Sequence, residues 1–107
     1  MTFLPNEQQA LRELKQTLEQ RFRLCDMRVY GSKARGTDVE GSDVDVMIVL
    51  DHDSPGVLND VDDILFEINL RFDCFISAVV YFQKELFEGP LSESPLYKTA
   101  IREGIAL

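Results

Sequence analysis

The sequence predicts a small α/β (α+β) domain, one short mixed β-sheet with helices packed on it. Three observations carry this. Segments with apolar residues at three- and four-residue spacing alternate with runs of β-branched and aromatic residues, the pattern of helices alternating with strands. The chain has 107 residues, 45% of them hydrophobic, which suits one buried core and one domain over residues 1–107. The stretch Val46-Met47-Ile48-Val49-Leu50 is apolar at every position, as a strand covered on both faces requires.

Pro5-Asn6 opens the first helix. Leu11, Leu14, Leu18 and Phe22 form its apolar stripe, with charged and amide side chains between them. Leu24 to Tyr30 reads as the first strand, broken at Gly31. Gly36, Thr37, Gly41 and Ser42 mark a short, turn-rich link. Asp43 to Leu50 is the second strand. Ser54-Pro55 predicts a helix start, a capping hydroxyl followed by a residue that needs no N–H donor. Val57, Val61, Ile64, Leu65 and Ile68 then share one helical face. The acids Asp60, Asp62, Asp63 and Glu67 read as a solvated face. Phe72 to Tyr81 is expected as the third strand. Gln83 to Phe87 forms a short helix, Gly89-Pro90 breaks it, and Ser94-Pro95 starts a last helix closed by Gly104. Ile105-Ala106-Leu107 adds a stub of strand.

Eleven Lys and Arg stand against nineteen Asp and Glu, a formal net charge of -8. Such a surface repels phosphate backbones, so the reading is no nucleic acid. A small anionic ligand needs a metal and local donors, and a basic protein partner fits. Cys25 and Cys74, each in an apolar run, read as buried reduced thiols rather than a disulfide. With one histidine, His52, there is no zinc-type spacing. The N-terminus lacks a basic region followed by an apolar run, and no apolar run spans a bilayer. The expectation is a cytoplasmic protein with no membrane contact.

The chemistry concentrates between Tyr30 and Leu50. Asp43 and Asp45 are two apart on a strand, so their side chains point to one side, roughly 6.5–7 Å apart. Two such carboxylates can hold magnesium, which prefers carboxylate, water and phosphate oxygens. Gly31 lets a backbone approach a phosphate closely, and the Ser32 hydroxyl can bind phosphate oxygens. Lys33 or Arg35 could add positive charge. Asp-x-Asp alone is commonly just a polar strand face, and Gly-Ser alone an ordinary turn.

Together, Gly-Ser followed after ten residues by Asp-x-Asp resembles the signature of the polymerase β-like nucleotidyltransferase superfamily. Val29-Tyr30-Gly31-Ser32-Lys33-Ala34-Arg35-Gly36 is similar to its Gly-Ser-x-Ala-Arg-Gly turn, and Ser42-Asp43-Val44-Asp45 to its Ser-Asp-x-Asp strand. Ile101-Arg102-Glu103-Gly104-Ile105 resembles a C-terminal pattern of small members. The resemblance implies the nucleotidyltransferase fold, ATP as nucleotide donor, and two Mg2+ ions. It implies nucleotide contacts at Gly31 and Ser32, and metal and catalytic roles for Asp43 and Asp45. Arg35 meets phosphate or holds the turn by pairing with a carboxylate. The family's third carboxylate lies on a later strand, and Asp73 is the candidate. If Asp73 faces the site, Phe75, Ser77, Val79 and Tyr81 share its face.

Polymerase-type members carry further domains for which this chain has no room, so it resembles the minimal nucleotidyltransferases. Many of these pair with a HEPN-domain toxin and act as antitoxins by transferring AMP to it. Three expectations follow: AMP transfer to a hydroxyl of a partner protein, transfer to a small hydroxylated molecule, or binding of partner and nucleotide without chemistry.

Overall fold

The computed structural model describes residues 3–37 and 43–107. Gly41 and Ser42, expected to mark the turn-rich link, lie outside these residues. The chain folds as α1 (Pro5–Arg21), β1 (Leu24–Tyr30), α2 (Ser32–Arg35), β2 (Val44–Leu50), α3 (Val57–Phe72), β3 (Ile76–Phe82), α4 (Gln83–Glu88), α5 (Pro95–Glu103) and β4 (Ile105–Ala106). A 3-10 turn over Pro90–Glu93 joins α4 to α5.

The sheet order is β3-β2-β1-β4. β2 is therefore internal, as its apolar composition requires. It runs antiparallel to β1 and parallel to β3, and β4 pairs antiparallel with β1. The sheet is mixed, as the sequence predicts.

Alternation along the strands divides the sheet into two faces. Val44, Val46, Ile48 and Leu50 of β2 meet α1 and α3 in the main core, where Leu14 and Leu18 are fully buried. On the other face Met47, Val49 and Tyr81 meet Leu86 of α4 and Ala100 of α5. These two helices cover only one half of that face. The other half carries Asp45 and Ser77, which no apolar cluster includes.

Three expectations need correction. Ser54-Pro55 does not start α3. The Val57 N–H donates to the Ser54 carbonyl at 3.2 Å, Gly56 takes a left-handed φ of 84°, and the helix begins two residues late at Val57. The third strand does not begin at Phe72. Phe72 still belongs to α3, Asp73 is its left-handed C-cap, and β3 starts at Ile76. The aromatic run misled the reading because Phe72 closes a helix rather than opening a strand. Asn69 makes the change of direction, accepting from the Ile76 N–H at 2.8 Å and donating to the Ile76 carbonyl at 3.0 Å. Finally, Cys25 is exposed, not buried. It sits at a bulge in β1, where Leu24 pairs with Leu50 and Asp26 with Val49. Cys74 is buried, and both thiols are free.

Gly104 ends α5 where a side chain does not fit. A Cβ there would lie 2.1 Å from the Ala100 carbonyl oxygen and 3.1 Å from that of Val29. The glycine lets the chain drop from α5 onto β1. No helix among the described residues is long and apolar enough to cross a membrane.

Candidate functional site

The open half-face is built on one row of residues. Asp45 on β2 is in register with Ser77 on β3 and with Tyr30 on β1. All three therefore project from the same face of three adjacent strands. The Ser77 hydroxyl donates to Asp45 Oδ1 at 3.1 Å. Asp43 lies two residues before Asp45 and is exposed. Tyr30 is half-buried, and its phenol is pushed above the ordinary value of 10.0 by burial first, then by the Asp45 and Tyr81 charges. It stays protonated at neutral pH and can donate a hydrogen bond.

Beside this row, β1 turns sharply. Gly31 has φ 76° and ψ -153°, a conformation close to glycine-only. A Cβ at Gly31 would come within 2.6 Å of Asp45 Oδ2. The missing side chain is thus what lets the turn lie against the carboxylate. Ser32 opens a single helical turn, tied by the Arg35 N–H to the Gly31 carbonyl at 3.1 Å and the Thr37 N–H to the Ser32 carbonyl at 3.0 Å.

The two cations of the turn go elsewhere than to an open phosphate site. Lys33 is buried and its Nζ donates to Glu7 Oε1 at 3.0 Å. Lys33, expected as one of two sources of positive charge at the turn, is engaged by Glu7. The same Glu7 oxygen accepts the Leu4 N–H at 2.9 Å. Arg35 is exposed and pairs with Glu103 at the end of α5 at 3.8 Å, which is the turn-holding alternative. An exposed pair of this kind contributes at most about 1 kcal/mol. Asn6 donates to the carbonyls of Phe72 (2.8 Å) and Asp73 (3.1 Å). The first turn of α1 thus fastens the β1–α2 turn through Glu7 and the end of α3 through Asn6.

Asp73 does not join the row. It is an exposed helix cap with φ 51°, four residues before Ser77 and outside β3. The position on β3 beside Asp45 belongs to Ser77. Two members were missed as site residues, Ser77 and Tyr30. Ser77 is a small polar residue in a strand otherwise made of apolar and aromatic residues, and that was the available signal. Glu7 was missed because nothing in a helical first turn announces a partner 26 residues away.

Magnesium, implied by the family resemblance, can be tested against the donors present. The row offers carboxylate and hydroxyl oxygens and no imidazole or thiol, which suits a hard cation. The lack of a side chain at Gly31 keeps Asp45 Oδ2 clear of a Cβ that would otherwise lie 2.6 Å from it. Among the described residues no three His, Cys, Asp or Glu side chains cluster as a ready cation site. Phosphate oxygens and water would complete the shell around Asp43 and Asp45. The residues fit on those terms.

A cleft lined by Arg21, Arg23, Asp51 and His52 lies at the opposite end of the strands. Its Asp51 is about 20 Å from Asp45 along the chain, at about 3.3 Å per residue. Arg23 pairs with Asp51 and Arg21 with Asp60, so its charges are matched internally.

Comparison with known proteins identifies the family and the fold. The family model for the nucleotidyltransferase domain matches residues 11–97. A candidate protein adenylyltransferase of Methanocaldococcus jannaschii is 31% identical over 104 residues, spanning 95% of this chain and 98% of its own. Two solved structures share the fold at a TM-score of 0.64. One, a candidate minimal nucleotidyltransferase, is 20% identical and covered in full in both directions. The other, a toxin–antitoxin crystal structure with AMP-PNP, is 15% identical, covering 96% of this chain and 72% of that one.

Proposed function

Because the chain belongs to the nucleotidyltransferase domain family, we propose that this transferase moves AMP from ATP to a hydroxyl of a partner protein. One observation carries the reading. The Gly31–Ser32 turn is packed against the carboxylate of Asp45, on the half-face of the sheet that α4 and α5, among the described residues, leave uncovered. Terminal phosphates would bind at Ser32 and the Gly31 backbone. Asp43 and Asp45 would hold Mg2+, which when bound neutralises phosphate charge and polarises the α-phosphate. The acceptor oxygen bonds to the α-phosphorus, the bond to the bridging oxygen of the β-phosphate breaks, pyrophosphate leaves, and the hydroxyl proton passes to water at the open side. Tyr30, protonated, donates toward Asp45 or a phosphate oxygen and steadies the row.

The protein acceptor is supported by the name of the Methanocaldococcus jannaschii relative. The antitoxin role is supported by the fold neighbour's toxin–antitoxin assembly, and a HEPN-domain toxin is the partner that the minimal-nucleotidyltransferase resemblance suggests.

A second reading has its own observation. Ser77 stands where a third carboxylate would flank Asp45. A serine neither adds negative charge for a second ion nor takes up the acceptor proton, and loss of a general base costs about 10²–10⁴ in rate. This favours one tightly held ion, slow turnover, and a module whose main work is binding.

Label transfer separates the two. The protein is incubated with Mg2+ and ATP labelled at the α-phosphate in extract of its source, beside Asp43→Asn/Asp45→Asn. A labelled protein band that disappears with the aspartates is the expected result. Unchanged labelling in the double variant would overturn the assignment. Intact ATP binding with no labelled protein would point to a small hydroxylated acceptor or to the binding module.

A further inference from the structure

The phosphate turn is a weak unit by itself. α2 is a single helical turn of four residues, and Gly31 and Gly36 at its two ends both take positive φ, 76° and 73°. One isolated turn does not hold its shape in water, and a glycine at each end widens its freedom to rotate. Whatever fixes the direction of the Ser32 hydroxyl must come from elsewhere in the chain. Ala34 packs on the main core, and the Arg35–Glu103 pair is long and exposed. The contact that is both buried and directional is the pair of Lys33 and Glu7, whose side chains are 6% and 7% exposed.

A buried ion pair is a poor way to add stability, because apolar side chains of similar volume commonly do as well or better. What this one adds is geometry. Glu7 Oε1 accepts from Lys33 Nζ at 3.0 Å and from the Leu4 N–H at 2.9 Å, so the first turn of α1 holds the Glu7 carboxylate in one place. Lys33 follows Ser32 by about 100° round the same turn, and a fixed Lys33 therefore fixes where Ser32 points. The neighbouring residue of α1 reaches the other side of the site. Asn6 donates to the carbonyls of Phe72 and Asp73. Asn69, near the end of the same helix, holds both backbone groups of Ile76, and Ser77 follows with its bond to Asp45. Two successive residues of one helical turn thus hold the two segments that flank Asp45.

We propose that Glu7 and Lys33 are positioning residues for the terminal phosphates of the nucleotide. Their pair sets the rotation of α2, and with it the direction of the Ser32 hydroxyl and the Gly31 backbone. This rests on the nucleotide reading above and adds two residues outside the row that govern how tightly the phosphates are held.

The test is calorimetry of the full chain with Mg2+, comparing AMP-PNP with AMP, which lacks the terminal phosphates. Glu7→Leu/Lys33→Met removes the pair without leaving either charge unpartnered. It should bind AMP-PNP at least about tenfold more weakly, as misplacement of a binding group by about 1 Å produces, with its affinity for AMP unchanged. Glu7→Asp keeps the charge but shortens the reach to Lys33. It should show the same selective loss, and it carries the test where the double variant does not fold. Leu14→Ala, destabilised within the core, should keep wild-type affinity for both ligands. Wild-type AMP-PNP affinity in either folded pair variant overturns the proposal. So does an equal loss of AMP and AMP-PNP, or the same loss in Leu14→Ala, because each reports general damage rather than a turned Ser32. Absence of AMP-PNP binding by the wild-type protein is a separate result, which refutes the nucleotide reading and removes the positioning role with it.

Discussion

The two faces of the sheet use the same central strand for opposite ends. Toward α1 and α3, β2 presents Val44, Val46, Ile48 and Leu50, none more than 2% exposed. Toward α4 and α5 it presents Asp45, Met47 and Val49, and cover stops short of Asp45. One face is closed by matched apolar stripes. The other is closed for half its length and then left to polar residues held by hydrogen bonds. A strand can anchor a core and a reaction site together because its two sides are chemically independent.

The contrast predicts distinct failures. The largest loss falls on the buried pair that joins the closed side to the open one. Lys33→Ala strands Glu7 without its cation and should cost about 3–5 kcal/mol of stability, read by denaturant unfolding. Glu7→Leu/Lys33→Met should recover part of it, since both members of the buried pair are then replaced by apolar side chains. Leu14→Ala, wholly within the closed face, should cost about 2–5 kcal/mol and leave the AMP-PNP affinity of the folded protein unchanged. Gly31→Ala reverses that balance. Backbone strain costs about 1–3 kcal/mol, while displacement of Asp45 by the new Cβ should weaken AMP-PNP binding strongly, measured by calorimetry. Unaltered affinity in Gly31→Ala would break the contrast.

The smallest effect concerns pH. Tyr30 holds its proton more tightly in the folded protein than at its ordinary value of 10.0. Above that pH the unfolded chain ionises first, so stability present below pH 10 declines as the pH rises through and beyond it. Tyr30→Phe should lose less stability than the wild type in an alkaline thermal scan.

The closed face was legible in the sequence. The stripe from Leu11 to Leu18 and the α3 face from Val57 to Ile68 both announce what they bury, and β1 spans Leu24–Tyr30 as read. Of the site, the Gly31–Ser32 turn and Asp45 were legible through local spacing. The remainder depends on cross-strand register, which spacing within one segment does not carry. Ser77 gains its meaning only from standing beside Asp45, and Lys33 from meeting Glu7. Asp73 was the candidate for the family's third carboxylate because it was expected within the third strand, but the αL turn at the end of α3 sets it apart from that strand.

Amide hydrogen exchange with and without AMP-PNP and Mg2+ tests the central claim most directly, because it reads both faces at once. The account predicts new protection in residues 30–36, in the first residues of β2 and at the start of β3, with α1 and α3 unchanged along their buried stripes. Protection centred instead on the Arg23–Asp51 cleft, or spread over α1 and α3 without change at Gly31 and Ser32, would contradict it.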